Sequence, residues 1–148
     1  MTIDIRTAGI YPLATLRKRT AGTMTVLTMR KWPRGVKWEL IDYWIPDAGP
    51  SEMLLAMYQD DQDPVMTWDE FVSDYQGEQS RKFGCTVRTH QTMLSSQLSP
   101  ANGIAHMAQN KGPLTLLCHE QGDEDTVLCH RQLLAAMVRE AAKERVEA

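Results

Sequence analysis

The stretch Gly112–Arg131, GPLTLLCHEQGDEDTVLCHR, constrains this chain more than any other. Pro113-Leu114-Thr115-Leu116-Leu117 is a short apolar run with Gly-Pro before it and polar residues after it, which predicts a buried strand. A polar loop follows, and then the opening of the last helix. Cys118, His119 and Glu120 fall at the carboxyl end of the strand. Cys129, His130 and Arg131 fall near the start of the helix. In open α/β sheets ligands collect at the carboxyl ends of strands, beside the amino ends of helices. These two triplets therefore mark the candidate site.

The rest of the chain alternates strand and helix patterns. Ile3 to Tyr11 reads as a first strand closed by Pro12. Leu13 to Gly22 is basic and polar and serves as a connection, a solvated loop or short helix. Thr23 to Met29, TMTVLTM, is rich in β-branched residues and predicts a second strand. Arg30-Lys31-Trp32-Pro33-Arg34-Gly35 comes next. Pro33 forbids a continued central strand and Gly35 permits a tight turn. Two arginines and a tryptophan are thus held in a loop at a strand's carboxyl end. Arginine offers a planar fork of donors suited to phosphate or carboxylate. The alternative is an ion pair from Arg30 or Arg34 to Asp42 or Asp47.

Val36 to Ile45 mixes aromatic and polar residues and suits an irregular segment or a single helical turn, with its tryptophans packed in the core. Ser51 caps a helix whose core face is Met53, Leu54, Met57 and Tyr58. Asp60, Asp61 and Asp63 make a solvated acidic run. Thr67 and Glu70 form a capping box before the helical repeat Trp68, Phe71, Val72, Tyr75. Residues 77–98 show no clean period and read as an extension of that helix or an inserted, mobile segment; Cys85 and His90 are too isolated there to be ligands. Ser99-Pro100 opens another helix, ended by Gly112. Leu133, Leu134, Met137, Val138 and Ala141 make the last helix amphipathic. The whole predicts one α/β domain over residues 1–148, a predominantly parallel sheet flanked by helices in a Rossmann-like three-layer arrangement.

Composition bounds the function. With 43% hydrophobic and 24% charged residues the chain is that of a soluble globular protein. A net charge of -3 argues against broad nucleic-acid binding, which needs a basic face. No apolar run reaches the roughly 18 residues of a membrane span, and the early charges Asp4 and Arg6 do not fit a secretory signal. Three cysteines are an odd number for a disulfide framework, so reduced thiols in the cytoplasm are expected. There is no G-x-G-x-x-G, P-loop or H-E-x-x-H motif. A homo-oligomer is compatible with the Trp- and Met-rich surface.

The segment Leu27-Thr28-Met29-Arg30-Lys31-Trp32-Pro33-Arg34-Gly35-Val36 resembles the R-x-W-P-R-G segment of a bacterial domain of unknown function, family 488, which includes the YeaO-like proteins. Asp42-Tyr43-Trp44-Ile45-Pro46 with Gly49-Pro50-Ser51, then Trp68-x-x-Phe71-x-x-x-Tyr75, then Gly112-Pro113-Leu114-Thr115-Leu116-Leu117, resemble further motifs of that family in the same order. Cys129-His130-Arg131 matches the C-H-R of one branch. The resemblance covers residues 23 to 140 and implies an α/β fold without a settled activity. Relatives resemble L-V-D-R where this chain has Leu27-Thr28-Met29-Arg30, so an acid is replaced by Met29. Residues 77–98 are also longer here.

Three readings of the site follow. In the first, Arg30, Trp32, Arg34, His119, His130 and Arg131 converge on a phosphate or carboxylate in a small-molecule or nucleotide-processing enzyme. Cys118 or Cys129 is then the nucleophile, and Glu120 or a histidine moves protons. In the second, Cys118, His119, Cys129 and His130 hold zinc, although adjacent strand residues point to opposite faces. In the third, the cluster is a structural network in an interaction or regulatory module. No cofactor beyond that zinc alternative is expected.

Overall fold

The computed structural model describes residues 3–59, 66–118 and 130–147. In chain order its elements are β1 (Ile5–Gly9), α1 (Leu13–Arg19), β2 (Met24–Leu27), β3 (Tyr43–Trp44), α2 (Glu52–Gln59), α3 (Trp68–Ser80), β4 (Cys85–Arg88), β5 (Met93–Ser96), α4 (Pro100–Lys111), β6 (Leu114–Cys118) and α5 (His130–Glu147). Short 3-10 turns lie at Trp38–Leu40 and Pro46–Ala48.

One six-stranded sheet has the order β1-β6-β2-β3-β4-β5. β6 is parallel to both neighbours, Leu114 facing Ile5 on one side and Met24 on the other. β3 continues the parallel half, and β4 and β5 add an antiparallel hairpin. Every residue of β6 is buried, because a central strand with both faces covered has no polar side to present.

Alternation along the strands sorts the core into two layers. Ile5, Val26, Leu114 and Leu116 point to the face packed by Leu54, Phe71, Tyr75, Ile104, Leu134 and Val138, residues of α2 to α5. Ala8, Leu27 and Leu117 point to the other face, closed by Leu16 of α1 together with Val36 and Ile41. Trp32, Trp38 and Trp44 seal that second layer, with ring centroids 4.3 to 6.4 Å apart. The expected packing of Trp38 and Trp44 is met, Trp32, read from the sequence as a ligand-binding candidate, packs with them, and the fold is the three-layer α/β arrangement read from the sequence.

The helix signals hold in detail. Thr67 and Glu70 make a reciprocal capping box on α3. Ser99 caps α4, with Pro100 in its first turn. Gly112 ends α4 at φ 101°, a conformation that a side chain disfavours. Met53 departs from expectation: it is 74% exposed. Leu54 and Met57, three residues apart, share the buried face of the short α2, and Met53 falls to the solvent side of its first turn.

Residues 77–98 neither extend the helix throughout nor form an unstructured insertion. α3 ends at Ser80, and the remainder builds the β4–β5 hairpin. Its period of two was hidden because β5, Met-Leu-Ser-Ser, has no apolar-in, polar-out alternation; Met93 and Leu94 are both exposed. The acidic run Asp60, Asp61 and Asp63 lies outside the described residues.

Because β6 packs into both layers, Leu116→Ala should remove buried contacts with no room for collapse. The expected loss is about 2–5 kcal/mol in urea unfolding monitored by tryptophan fluorescence. A change below about 1 kcal/mol would contradict this packing.

Candidate functional site

The carboxyl ends of β6 and β2 lie side by side. The parallel ladder continues one step past β2, where the Thr28 backbone N–H donates to Leu117 O at 2.9 Å and the Thr28 hydroxyl donates to the same carbonyl at 2.9 Å. On the β1 side, Ile10 N–H donates to Cys118 O at 2.8 Å. Helix α5 begins against this rim. His130 and Arg131 are its first two residues, and both are buried.

The imidazole of His130 fixes α5 to β2. His130 Nε2 lies 2.8 Å from the Thr28 carbonyl and 3.3 Å from the Thr28 hydroxyl. A carbonyl only accepts, so Nε2 carries the proton. The hydroxyl hydrogen is committed to Leu117, so that oxygen accepts as well. Tyr75 stacks on the ring at 5.7 Å and donates its own hydroxyl to Ala48 O at 2.6 Å. Burial lowers the His130 pKa to about 4; the Thr28 bond opposes the shift and the Arg131 charge adds to it. The ring is therefore neutral at physiological pH. Burial likewise holds the Tyr75 phenol above its ordinary range.

Arg131 reaches the other way. It is 0% exposed, and its Nη1 donates to Cys118 Sγ at 3.1 Å. A cation in the first turn opposes the helix dipole, so its placement calls for negative charge close by. Cys118 is disulfide-bonded, with its partner outside the described residues. The expectation of reduced thiols throughout is thereby corrected for Cys118. An odd cysteine count excludes complete pairing but not a single bridge. Cys85 remains a free, buried thiol in the core.

The loop after β2 arrives at the same rim. Arg30 Nε donates to Pro50 O at 2.9 Å and Nη2 to Gly49 O at 3.2 Å. It thus binds backbone carbonyls rather than Asp42 or Asp47. Asp42 instead accepts from Thr25 N–H at 2.8 Å, and Asp47 from Thr86 N–H at 2.9 Å. Gly49 is required at this crossing, because a Cβ there would stand 2.7 Å from Arg30 N. Trp32 faces away from His130, within the tryptophan cluster, and donates its Nε1–H to Val36 O at 2.9 Å. Arg34 is exposed, and its carbonyl accepts from the Tyr11 hydroxyl at 2.6 Å.

Of the candidate residues, Cys118, His130, Arg131 and the backbone leading to Arg30 meet at one rim. Trp32 packs in the tryptophan layer, and Arg34 is exposed. His119, Glu120 and Cys129 lie outside the described residues. Thr28 and Tyr75 were not anticipated. Thr28 lay within the motif Leu27-Thr28-Met29-Arg30, but its hydroxyl gave no signal against ordinary strand propensity. Among the described residues no group of three or more His, Cys, Asp and Glu could hold a metal ion, and no helix is long and apolar enough to cross a membrane.

His130 generates a pH dependence of definite sign. Its folded pKa, about 4, lies below the ordinary 6.5, so the unfolded chain binds the extra proton between those values. The stabilisation is complete above pH 6.5 and is lost as pH falls toward 4. Within that window this group should contribute a slope of at most about 1.4 kcal/mol per pH unit. His130→Asn should show a shallower decline than the parent between pH 7 and pH 5 in urea unfolding. Identical declines would place the imidazole in water.

A family model described as the active DUF488-N3 subclade, DUF488-N3a, matches residues 9–142. No curated protein and no solved structure matches the chain. With that match running from the end of β1 into α5, the chain belongs to the DUF488 family, in the DUF488-N3a branch.

Proposed function

We propose that the rim formed by β6, β2 and the start of α5 is a binding pocket for a small anion, a phosphate or carboxylate, in a small-molecule or nucleotide-processing enzyme. Cys118 is its reactive group once the disulfide is opened. The observation that carries this reading is the contact between the buried Arg131 guanidinium and Cys118 Sγ. A disulfide sulfur is a weak acceptor, whereas a thiolate beside a buried guanidinium gains a full opposite charge. The site therefore favours the reduced, ionised cysteine. Opening the bridge takes two electrons and two protons from a thiol pair, which leaves as its own disulfide. His119 and Glu120 stand next in sequence to carry protons. His130, neutral and tied to Thr28, orients α5.

The second reading is a structural network in an interaction module. It is favoured by the engagement of Arg30 and His130 with backbone carbonyls that close the loops. A zinc site built from Cys118, His119, Cys129 and His130 is the minor alternative and requires Cys118 to be reduced.

Thiol alkylation against pH, followed by peptide mass spectrometry on the reduced protein, separates these readings. Cys118 should titrate at least about one unit below the free-thiol value of roughly 8.5. Reduced protein should also gain thermal stability from inorganic phosphate or a nucleotide. A Cys118 pKa at or above 8.5, with no stabilisation by any anion, would leave the structural network. A stoichiometric metal in the purified protein would select the zinc site.

A further inference from the structure

The net charge of -3 is unevenly spread. Residues 11–45 hold seven of the 16 lysines and arginines but two of the 19 acids, Glu39 and Asp42. This segment covers the sheet face on which the tryptophans pack, since Leu13 and Leu16 of α1, Trp32, Val36, Trp38 and Ile41 all enter that layer. Arg17, Lys18, Arg34 and Lys37 are exposed, and so is Arg88 of β4, which pairs across the sheet with Trp44. The ion pairs among the described residues are Arg6 with Asp4 and Lys31 with Glu52. None of these five cations has a carboxylate partner there. A basic last turn suits the end of α1, but Arg34, Lys37 and Arg88 lie outside any α-helix.

At the centre of this face the three indoles are half-buried. Two of them already carry a flat polar group. The Arg88 guanidinium lies 5.1 Å from the centre of the Trp44 ring, and the His90 imidazole stacks on Trp38 at 6.1 Å. Arg88 and His90 are both exposed on the β4–β5 hairpin, and exposed side chains change rotamer rapidly. The ring faces that hold them can therefore take another flat group. The margin is positioned too. The Tyr11 hydroxyl donates to Arg34 O, and Arg19 Nη1 donates to Tyr11 O at 3.4 Å, which sets the basic end of α1 beside the Trp32 loop. Aromatic faces ringed by cations without partners are the two components of single-strand recognition, in which bases stack and the backbone follows positive charge. An acidic peptide would use the charges and leave the ring faces idle.

We propose that this face binds a single-stranded nucleic acid. One base displaces the His90 imidazole from Trp38 and a second displaces the Arg88 guanidinium from Trp44. Arg88, Arg34 and Lys37 then pair with the phosphates. A duplex keeps its bases stacked on one another and cannot present them to the indoles. The inference does not depend on the chemistry at Cys118, because Trp32 and its neighbours belong to the layer that faces away from His130.

The probes are labelled oligothymidylate and oligouridylate of about twelve nucleotides, a length within the site sizes of such surfaces. Fluorescence anisotropy on the full chain should give a Kd on the order of 10 μM at about 0.1 M salt, and the tighter of the two strands identifies the ligand as DNA or RNA. An abasic strand of equal length, and a duplex, should each bind at least about tenfold more weakly, since both lack bases free to stack. The double change Arg34→Gln with Lys37→Gln alters exposed side chains and leaves the core intact. It should weaken binding at least about fivefold and lower the dependence of log Kd on log salt by about 1.4, roughly 0.7 per phosphate contact. Trp38→Leu keeps an apolar side chain but removes the ring face, and should weaken binding at least about fivefold. Arg81→Gln, an exposed cation at the end of α3 on the opposite side of the sheet, should change affinity less than about twofold. Absence of binding by either strand, equal binding of the abasic strand or the duplex, or an Arg81→Gln loss as large as that of the Arg34 and Lys37 pair would overturn the proposal.

Discussion

The double parallel pairing of β6 is the constraint on which the rest of the molecule depends. Its backbone groups are satisfied only by β1 and β2, which are remote in sequence. Its side chains enter both hydrophobic layers, Leu114 and Leu116 on one face and Leu117 on the other. Register along such a strand cannot slip by one residue without exchanging the layers. The same register brings Gly9, Leu27 and Cys118 to one edge of the sheet, and there the polar groups gather.

At that edge the chain replaces the regular ladder with side chains. Thr28 finishes the β2–β6 pairing with its N–H and its hydroxyl, and His130 closes over the Thr28 carbonyl from the next layer. A neutral histidine suits the place, since an ion would carry a large desolvation cost there. Arg131, beside it, is an ion in such surroundings, and its contact with the Cys118 sulfur distinguishes the rim from an ordinary strand end. Met29 packs against the tryptophan layer, and its carbonyl takes the Trp44 indole N–H at 2.6 Å.

Much of the architecture could be read from residue order. The capping box at Thr67, the Ser99-Pro100 start and the apolar run before Cys118 each announce an element through local chemistry, and each is present. The start of the last helix was legible at His130, and the structure sets that residue against Thr28 at the end of β2. What stayed hidden was non-local. The partner of Arg30 is a pair of carbonyls, which sequence does not mark, so ion pairs to Asp42 and Asp47 looked as good. The β4–β5 hairpin lacks a hydrophobic period because one strand has no layer to pack into. The disulfide at Cys118 could not be inferred from an odd cysteine count.

The hairpin strand β5 gives the sheet an open flank. It has β4 on one side and, among the described residues, no strand on the other. Between Met93 and Ser96 there is neither a charge nor a proline to discourage a further strand, while Met93 and Leu94 offer apolar surface on opposite faces. Backbone donors and acceptors along such a margin are available for cross-chain addition. An open margin of this kind lets a second chain extend the sheet, and a lysine at Leu94 would place a charge on it.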